Sequence, residues 1–532
     1  MDTAGLVAAL KSPEAYPSTV GPVGEVGFLE THISLLFFAG PRVYKVKKPV
    51  DLGFLDFTAL EDRERFCADE VRLNSRLAPG VYLGVVPVVR DAGGRIRMTG
   101  DGEVVEWAVE MVRLPSERMF DRMLARGEID NSHIRAVVER LTRFHAAVAT
   151  GPGVDEHGAP EAIAANVEEN FEQIRGFVGP IGHDGEASLS PAQYELLATR
   201  ARGFLAARRG LLEERVRAGR IREGHGDLHA GNLCFTEEGL VAYDCIEFNR
   251  RFRCGDVASD LAFLAMDLDY RGFPGFARFL VRAYAKLAGD PELADLVPFY
   301  KEYRAVVRGK VASLTAASAG LDAERRRALR GEAARYFQLA VGYELPPALV
   351  LMCGLPASGK SWLAQQLVAP LRAVLLHSDV RRKTLAGLAP ATRVRAGYEA
   401  GLYSPEQKRR TYRSLLGDAA RKIRAGRTVI VDATFSKDAY RAPFVDAAAR
   451  SGIPCLLVHV RASDAVIRER LAERARSGAG ASDADLGVYR KARESFEPPV
   501  DGPACRVVEV DSGEESAEAQ VARVIDRAIG AA

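Results

Sequence analysis

A glycine-rich loop that follows an apolar run constrains this chain more than any other feature of its sequence. Residues 354–361 read Gly-Leu-Pro-Ala-Ser-Gly-Lys-Ser, and the apolar run 348–353 comes directly before them. Glycines at such positions let backbone N–H groups turn towards a phosphate, and the start of a following helix adds a positive field. The order of strand, loop and helix is the context that this motif requires. The sequence therefore predicts a P-loop in a parallel α/β sheet.

The residues of this loop have separate expected roles. We expect Gly354, Ser358 and Gly359 to line the phosphate site. Lys360 would supply a positive charge to the β- and γ-phosphates, and Ser361 would supply an oxygen ligand for Mg²⁺. The loop therefore indicates a site for ATP and Mg²⁺.

Strand and helix patterns alternate after the pair Pro346-Pro347, which ends a helical pattern. This βαβ alternation is typical of a parallel sheet that is covered on both faces. We therefore place a domain boundary between residues 345 and 346, with the P-loop domain over 346–532. The predicted strands are 348–353, 373–377, 428–431 and 454–460, and the predicted helices are 361–367, 405–425, 439–451 and 465–476.

Two charged residues follow the second of these strands, at the edge of a parallel sheet where ligands bind. Asp379 can accept the proton of an attacking hydroxyl. Arg382 lies one helical turn later and can hold an anionic group of the acceptor. A helix N-cap aspartate with solvated arginines explains the same residues about equally well when the pattern is taken alone.

Further charged positions complete this predicted site. Asp432 follows the strand 428–431 and occupies the place of the acid that orders Mg²⁺ in P-loop proteins. Arg474 and Arg476 end the helix 465–476 and could close over the transferring phosphate as a lid. A solvated helix face explains these two arginines equally well.

Together these segments resemble the P-loop kinases of small molecules and polynucleotides. The resemblance rests on Gly-Leu-Pro-Ala-Ser-Gly-Lys-Ser, Ser-Asp-x-x-Arg and Val-Asp-Ala-Thr-Phe, and it covers about residues 348–499. Polynucleotide 5′-kinases and zeta-toxin-like kinases have the most similar pattern. The resemblance implies ATP-dependent phosphorylation of a hydroxyl with Asp379 as the base. Gluconate and adenylyl-sulfate kinases share the style of the loop, so the acceptor stays open, and no aromatic-rich basic groove supports polynucleotide binding.

A different phosphate-handling pattern precedes the P-loop. Residues 225–232 read His-Gly-Asp-Leu-His-Ala-Gly-Asn, which is the spacing of a kinase catalytic loop. Asp227 would take the proton of the acceptor. Asn232 and Asp244, which follows a short predicted strand, would bind Mg²⁺. We expect His225 to hold the loop rather than to transfer protons.

This segment resembles the aminoglycoside phosphotransferase family. The resemblance rests on the octet above, on Tyr-Asp-Cys-Ile-Glu-Phe and on Gly-Asp-Val-Ala-Ser-Asp-Leu-Ala, and it covers about residues 28–343. It implies a kinase-like domain over 1–345, with a strand-rich small lobe over about 1–115 and a helical lobe over about 116–345. It also implies that Asp256 and Asp260 brace the catalytic loop.

In the small lobe, the resemblance implies a lysine that grips the α- and β-phosphates of ATP. Lys45 is the first candidate and Lys47 the second, since both lie on the same face of one predicted strand. Glu70 would be the helix partner of this lysine, and Met111 would lie in the hinge that receives adenine through backbone groups. The glycine-rich nucleotide loop of protein kinases is absent, and no dense acidic patch indicates a polycationic acceptor, so an antibiotic substrate is not implied.

The bulk composition narrows the setting of these sites. The net charge of +2 indicates neither a nucleic-acid nor an acidic-membrane partner, and the seven cysteines form no Cys-x-x-Cys pair. No apolar stretch reaches the ~18 residues of a membrane span. We therefore expect a cytoplasmic protein with ATP and an unidentified hydroxyl-bearing acceptor as partners.

The complete chain resembles the fused phosphotransferase/ATP-binding proteins of bacteria. We therefore predict a protein-kinase-like α+β two-lobe domain followed by an α/β P-loop parallel-sheet kinase domain, with two ATP- and Mg²⁺-dependent phosphotransferase sites. Two alternatives remain: a regulatory ATP-binding or ATPase protein whose first domain is a binding module, and a toxin-like kinase that acts on a nucleotide-sugar or a protein. The acceptors, the coupling of the two sites and the oligomeric state stay open.

Overall fold

The computed structural model describes residues 2–53, 55–182, 186–318, 320–389, 392, 401–477 and 486–531. The chain packs into two compact units. The first comprises Met1–Asn166, Leu205–Leu268 and Phe273–Lys301, and the second comprises Val167–Phe204, Asp269–Gly272 and Glu302–Ala532. Helices that precede residue 346 therefore pack with the P-loop sheet, while the predicted boundary at 345–346 stays a prediction.

The strands are β1 Gly27–Glu30, β2 Ser34–Ala39, β3 Arg42–Lys47, β4 Tyr82–Arg90, β5 Ile96–Met98, β6 Glu103–Val112, β7 Ile221–Glu223, β8 Leu233–Thr236, β9 Gly239–Ala242, β10 Cys254–Asp256, β11 Leu349–Cys353, β12 Val374–His377, β13 Val429–Asp432, β14 Cys455–Arg461 and β15 Arg506–Asp511. The helices are α1 Thr3–Leu10, α2 Leu60–Asn74, α3 Phe120–Ala125, α4 Asn131–Ala147, α5 Pro160–Ile174, α6 Pro191–Ala207, α7 Arg209–Arg217, α8 Arg250–Arg253, α9 Val257–Tyr270, α10 Pro274–Leu287, α11 Leu293–Ala317, α12 Ala323–Glu344, α13 Lys360–Val368, α14 Ser378–Leu385, α15 Pro405–Arg424, α16 Asp438–Arg450, α17 Asp464–Ser477, α18 Leu486–Glu494 and α19 Ala517–Ile529.

The first unit contains an antiparallel sheet in the order β1-β2-β3-β6-β4-β5. Side chains alternate across its strands, so Tyr44 and Val46 of β3 join one apolar cluster. The intervening Lys45 and Lys47 lie on the opposite face, where both contact Glu70 of α2. The strand period thus places the two candidate lysines side by side.

The catalytic-loop segment of this unit lies between two small antiparallel strand pairs. One pair is β7 with β10, and the other is β8 with β9. The loop 224–232 connects β7 to β8, and α9 follows β10 directly. These strands therefore hold both ends of the loop.

The second unit contains a five-stranded parallel sheet in the order β12-β13-β11-β14-β15. Strands β11, β13 and β14 are buried along nearly their whole length, which explains their continuous apolar runs. The P-loop follows β11, the central strand, and β15 lies at the edge of the sheet. The predicted fold class is confirmed.

Helix α12 packs within this second unit. Gln338 Nε2 donates a hydrogen bond to the backbone oxygen of Glu518 on α19 at 3.0 Å. Gly342 lies so close to Pro370 that a Cβ at residue 342 would come within 1.6 Å of its carbonyl oxygen. A fragment that starts at residue 346 would lack this packing partner.

The predicted elements of the P-loop region agree closely with the structure. The four predicted strands and four predicted helices each match an observed one, with ends that differ by one residue. The sequence interpretation missed α18, β15 and α19, and it gave no bounds for α14. Asp379 lies in the first turn of α14, directly after β12, and Arg382 follows one helical turn later, as expected.

Candidate active sites

A buried lysine connects two carboxylates in the first unit. Lys45 Nζ donates to Glu70 Oε1 and to Asp244 Oδ1, each at 2.7 Å. Burial lowers the pKa of Lys45, but the charges of Asp244 and Glu70 outweigh this effect and hold it well above its ordinary value. Lys45 is therefore a charged group that links α2 to the segment after β9.

Lys47 lies deeper in the same cluster and contacts the other oxygen of Glu70, at 2.7 Å from Oε2. Its second partner is Glu247, which the sequence interpretation did not single out. Burial would raise the pKa of Glu70, but Lys45 and Lys47 together lower it to about 2. Burial raises the pKa of Glu247, against the charge of Lys47. Of the two candidate lysines, Lys45 is the one that bonds Asp244, the predicted metal ligand, in the part of the chain that the structure describes.

The predicted base and its predicted metal-binding neighbour are brought together. Asn232 Nδ2 donates to the backbone oxygen of Asp227 at 3.0 Å and lies 3.3 Å from its Oδ2. His229 Nε2 lies 3.5 Å from the same Oδ2, and its Nδ1 accepts a hydrogen bond from Gly231 N–H. The Asp227 side chain is 30% exposed, so its carboxylate stays accessible from the solvent side.

His225 is oriented as a neutral ring. Its Nε2 lies 3.0 Å from the carbonyl oxygen of Tyr243, so this nitrogen carries the proton, and its Nδ1 accepts from Asp227 N–H at 3.3 Å. Burial lowers the pKa of His225, against the charges of Asp260, Asp227 and Asp244. These bonds fit the expected role of holding the loop.

Of the two aspartates expected to brace the catalytic loop, Asp260 bonds the loop backbone, whereas the bonds of Asp256 go to Arg215 and Ala258. Asp260 accepts hydrogen bonds from the N–H groups of His225 at 2.7 Å and Gly226 at 2.9 Å. Asp256 receives two bonds from Arg215, at 2.7 and 2.8 Å, and one from Ala258 N–H. Both carboxylates therefore have structural hydrogen-bond partners.

Two predicted residues of the first site remain: Asp244, in the segment after β9, and Met111, in β6. Asp244 has a left-handed backbone, with φ of 63°, and its N–H donates to Tyr82 Oη at 3.1 Å. Met111 lies in β6 opposite Val43 and Tyr82, and its side chain joins their apolar cluster. Because this side chain is packed in the cluster, adenine would contact the backbone near the end of β6 rather than the Met111 side chain. The role of Met111 stays a prediction.

The P-loop of the second unit has a backbone that turns sharply. Gly354, Ala357 and Gly359 have φ values of 141°, 62° and 95°. A Cβ at Gly354 would lie 2.4 Å from the backbone oxygen of Val460. A side chain at Gly354 would thus force the loop off β14, which explains the need for glycine there.

Lys360 and Ser358 lie inside this loop. Lys360 Nζ donates to the carbonyl oxygen of Leu355 at 2.6 Å. Burial lowers the pKa of Lys360, although Asp432, Cys353 and Asp379 oppose it. The Ser358 side chain is 1% exposed, and its hydroxyl has no hydrogen-bond partner within the part of the chain that the structure describes. A buried hydroxyl without a partner in a phosphate-type loop fits a missing ligand oxygen.

The predicted Mg²⁺ residues of the second unit meet each other. Ser361 lies close enough to Asp432 to lower the pKa of its carboxyl group, and His377 Nδ1 lies 3.1 Å from Asp432 Oδ2. Burial would raise the pKa of Asp432, but His377 and Ser361 lower it. Asp432 therefore carries a negative charge beside the P-loop.

The predicted acceptor residues form an ion pair. Arg382 Nη1 donates to Asp379 Oδ1 at 2.5 Å, along one turn of α14. Asp379 and Arg474 are both close enough to Lys360 to affect its pKa, Asp379 by raising it and Arg474 by lowering it. The predicted residues of the second site therefore share one electrostatic neighbourhood.

Two residues that the sequence interpretation missed support the P-loop backbone. Ser512 Oγ donates to the backbone oxygen of Ser358 at 2.7 Å. Arg470 of α17 donates to the oxygens of Ala357 and Ser512. The Arg-rich pattern of α17 did point to this helix, but the sequence has no local signal for Ser512.

Two features are absent from the described ranges. No group of three or more His, Cys, Asp or Glu side chains in them could hold a metal ion. No described helix is long and apolar enough to cross a membrane.

Comparisons with known proteins find a family model, solved structures and curated relatives that are similar to parts of this chain. A family model described as an AAA domain matches residues 349–499. Among solved structures, a choline/ethanolamine kinase family protein from Mesorhizobium loti is 17% identical over 64% of this chain and 95% of its own, with a TM-score of 0.39. A putative kinase from Chloroflexus aurantiacus is 22% identical over 33% of this chain and 95% of its own, with a TM-score of 0.27.

Curated proteins of Mycobacterium tuberculosis and Mycobacterium bovis, which are described only as uncharacterized, match a larger part of the chain. Each is 31% identical over 393 residues, which is 74% of this chain and 74% of the relative. The chain belongs to the family of these mycobacterial proteins.

Proposed function

We propose that the chain has two separate phosphotransferase sites, each of which moves the γ-phosphoryl group of ATP to a hydroxyl of a small or nucleotide-like acceptor. One observation carries this proposal. Each unit brings together, from distant parts of its sequence, a buried or partly buried lysine, a pair of oxygen ligands suited to Mg²⁺ and a carboxylate suited to the acceptor. Such sites act mainly by positioning and by electrostatic stabilisation.

In the first site, Asp227 is the base that accepts the proton of the acceptor hydroxyl. Its bonds with Asn232 hold the carboxylate in one orientation. Lys45 stays charged because Glu70 and Asp244 surround it, so it can bind the α- and β-phosphates. Glu70 is the residue that keeps this lysine in place.

In the second site, Asp379 is the base and Arg382 holds an anionic group of the acceptor. Lys360 would exchange its bond with the Leu355 carbonyl for phosphate oxygens. The loop N–H groups and the Ser358 hydroxyl would add further bonds to phosphate. Arg474, whose charge affects the pKa of Lys360, would complete the positive surroundings of the transferred group.

Bound Mg²⁺ would neutralise charge on the phosphates during transfer. The residues that would hold it are Asn232 and Asp244 in the first site, and Ser361 and Asp432 in the second. Mg²⁺ commonly takes only one or two protein carboxylates and completes its shell with phosphate and water oxygens. Sites with a single carboxylate and one neutral oxygen donor fit this requirement.

Four versions of the full-length chain test the proposal: wild type, Asp227→Asn, Lys360→Ala and the double variant. Each is incubated with radiolabelled ATP and a panel of sugars, amino alcohols, nucleosides and oligonucleotides. We expect one set of labelled products to be lost only with Asp227→Asn and another only with Lys360→Ala. The full-length chain is needed because α12 packs with the P-loop unit.

Two results would overturn this function. Steady ATP hydrolysis without any labelled acceptor would favour the regulatory ATPase. Loss of ATP binding at both sites in Lys360→Ala would contradict their independence, since the first site contains its own lysine.

A further inference from the structure

Two cysteines face each other across neighbouring strands of the P-loop sheet. Cys455 is the first residue of β14, and Cys505 directly precedes β15. The strands run parallel, with Leu456 opposite Arg506, so the register places the two cysteines opposite each other as well. Their sulfur atoms lie 3.1 Å apart.

The backbone at this position already suits a covalent link. Neighbouring strands lie about 4.8 Å apart. Disulfides join Cα atoms roughly 4.4–6.8 Å apart, with a sulfur–sulfur bond of about 2.05 Å. The sulfurs therefore need to approach by only about 1 Å, which side-chain rotation can supply without a change of register. Both thiols are free in this structure.

We propose that Cys455 and Cys505 form a modification site, at which hydrogen peroxide closes a reversible disulfide between β14 and the start of β15. The two cysteines differ in access. Cys505 is partly exposed at the end of the turn 501–505, whereas Cys455 is 4% exposed and belongs to the apolar core. The oxidant therefore reaches Cys505 first.

The reaction balances with one molecule of peroxide. The Cys505 thiolate attacks a peroxide oxygen, the O–O bond breaks, and a sulfenic acid and water form after proton uptake. Cys455 then attacks the Cys505 sulfur, the S–O bond breaks, and the thiol proton leaves with the hydroxide as a second water. Two thiols lose two electrons and two protons in total. The hydrogen bond with Cys505 and burial raise the pKa of Cys455, so this thiol keeps its proton until the S–O bond breaks.

The link would fasten a strand that supports the P-loop. β15 is the edge strand and pairs with β14 alone. Its carboxyl end leads to Ser512, which bonds the backbone oxygen of Ser358 at 2.7 Å. A disulfide at the opposite end of β15 would therefore restrain the segment that holds the nucleotide loop.

The test uses the full-length chain with hydrogen peroxide alone, without nucleotide or acceptor. After free thiols are blocked, peptide mass spectrometry should find a Cys455–Cys505 linked peptide, lighter by two hydrogens, that dithiothreitol removes. Hydrogen exchange of the amides in 506–512 should slow by about tenfold or more in the oxidised form.

Matched variants locate the effect. Cys455→Ser should leave Cys505 as sulfenic acid that proceeds to higher oxides, and Cys505→Ser should leave residue 455 unoxidised. The control Cys234→Ser, in the first unit, should form the linked peptide as the wild type does. Oxidation of wild-type Cys505 to sulfinic acid without any linked peptide would overturn the proposal, as would unchanged exchange of 506–512 in the linked form. Neither outcome depends on phosphotransfer, so the proposed function is tested separately.

Discussion

Of the two candidate phosphate-binding lysines, Lys45 is buried and Lys360 is partly buried, and their pKa values shift in opposite directions. Lys45 lies between two carboxylates, and its pKa is raised well above the ordinary value. Lys360 bonds a backbone carbonyl, and burial lowers its pKa. The first site compensates a buried charge with opposite charges. The second site uses a peptide dipole and leaves part of the cost of burial uncompensated.

This difference indicates what each site must do when a nucleotide arrives. Phosphate competes with Glu70 and Asp244 for Lys45, whereas at Lys360 it replaces only a neutral carbonyl. Removing one member of a buried ion pair also destabilises the fold, because the other member is left as an unpaired buried charge. We therefore expect loss of a lysine to lower mainly the stability of the fold at the first site and mainly the affinity for ATP at the second.

The largest expected effect is on stability. Lys47→Met should lower the free energy of unfolding of the first unit by about 3–5 kcal/mol, because Glu70 and Glu247 lose a buried partner. Lys360→Met should change the stability of the second unit by less than about 1 kcal/mol. Among the described residues, Lys360 bonds a neutral carbonyl oxygen, and burial disfavours its charged form.

The two tryptophans allow each unit to be followed separately. Trp107 lies in the first unit and Trp362 in the second. Denaturant unfolding would be followed in a Trp362→Phe background for Lys47→Met and in a Trp107→Phe background for Lys360→Met. Equal losses of stability in the two units would remove the comparison.

Acid should reveal the same asymmetry with a defined sign. The pKa of Glu70 is about 2 in the folded chain, against an ordinary value of 4.5. The stability that this carboxylate contributes is therefore present above pH 4.5 and is lost as the pH falls towards 2. At 1.4 kcal/mol per pKa unit the loss amounts to about 3 kcal/mol.

Unfolding of the Trp362→Phe chain with and without Glu70→Gln, followed by Trp107 fluorescence between pH 6 and 3, measures this contribution. The stability gap between the two proteins should narrow below pH 4.5. A constant gap down to pH 3 would show that the Glu70 carboxylate is not held by its lysines in solution.

The sequence predicts the local parts of both sites because short spacing sets their geometry. Asp227 and Asn232 are five residues apart and meet at 3.3 Å, as the catalytic-loop pattern implies. Gly354, Lys360 and Ser361 also lie within one short segment, so strand, turn and helix signals suffice. The alternation of strands and helices after residue 346 predicts the parallel sheet for the same reason.

Contacts between distant segments were not predictable in this way. Glu247 meets Lys47 across 200 residues, and Ser512 meets Ser358 across 154. Both contacts depend on tertiary packing, for which one sequence has no period or spacing. The edge strand β15 was missed because it mixes exposed and buried residues, whereas α19 buries Val521, Val524 and Ile525 at helical spacing, a signal that the sequence does contain.

Nucleotide affinity should show the reverse asymmetry. Removal of Lys360 should weaken ATP binding at the second site by roughly 10- to 150-fold, the equivalent of a charged hydrogen bond of about 1.5–3 kcal/mol. Removal of Lys45 should weaken ATP binding at the first site by a smaller factor. Phosphate competes there with the two carboxylates that already bond Lys45.

Calorimetric titration of a non-hydrolysable ATP analogue with Mg²⁺ into Lys45→Met and Lys360→Met measures the two losses. Trp362 follows Ser361 directly and provides an independent fluorescence signal for the second site. A larger loss at the first site than at the second would contradict the idea that prior pairing reduces the gain from phosphate.

The smallest expected effect concerns the acceptor of the second site, where a paired arginine again occurs. Arg382 already donates to Asp379 at 2.5 Å, so an anionic acceptor would replace one carboxylate partner by another. Arg382→Ala should therefore raise the KM for an anionic acceptor only about tenfold, or 1.4 kcal/mol, near the lower end for charged hydrogen bonds. The KM for ATP should stay within about twofold, because Arg382 is assigned to the acceptor rather than to the nucleotide. Asp379→Ala is the matched variant: it removes the other member of the pair and should abolish transfer while ATP still binds.

Initial rates with the acceptor found in the screen, in full-length chain that contains Asp227→Asn, separate these outcomes. Unchanged transfer in Asp379→Ala would leave the P-loop site without its base, and the charge pair on α14 would then serve the helix rather than the reaction.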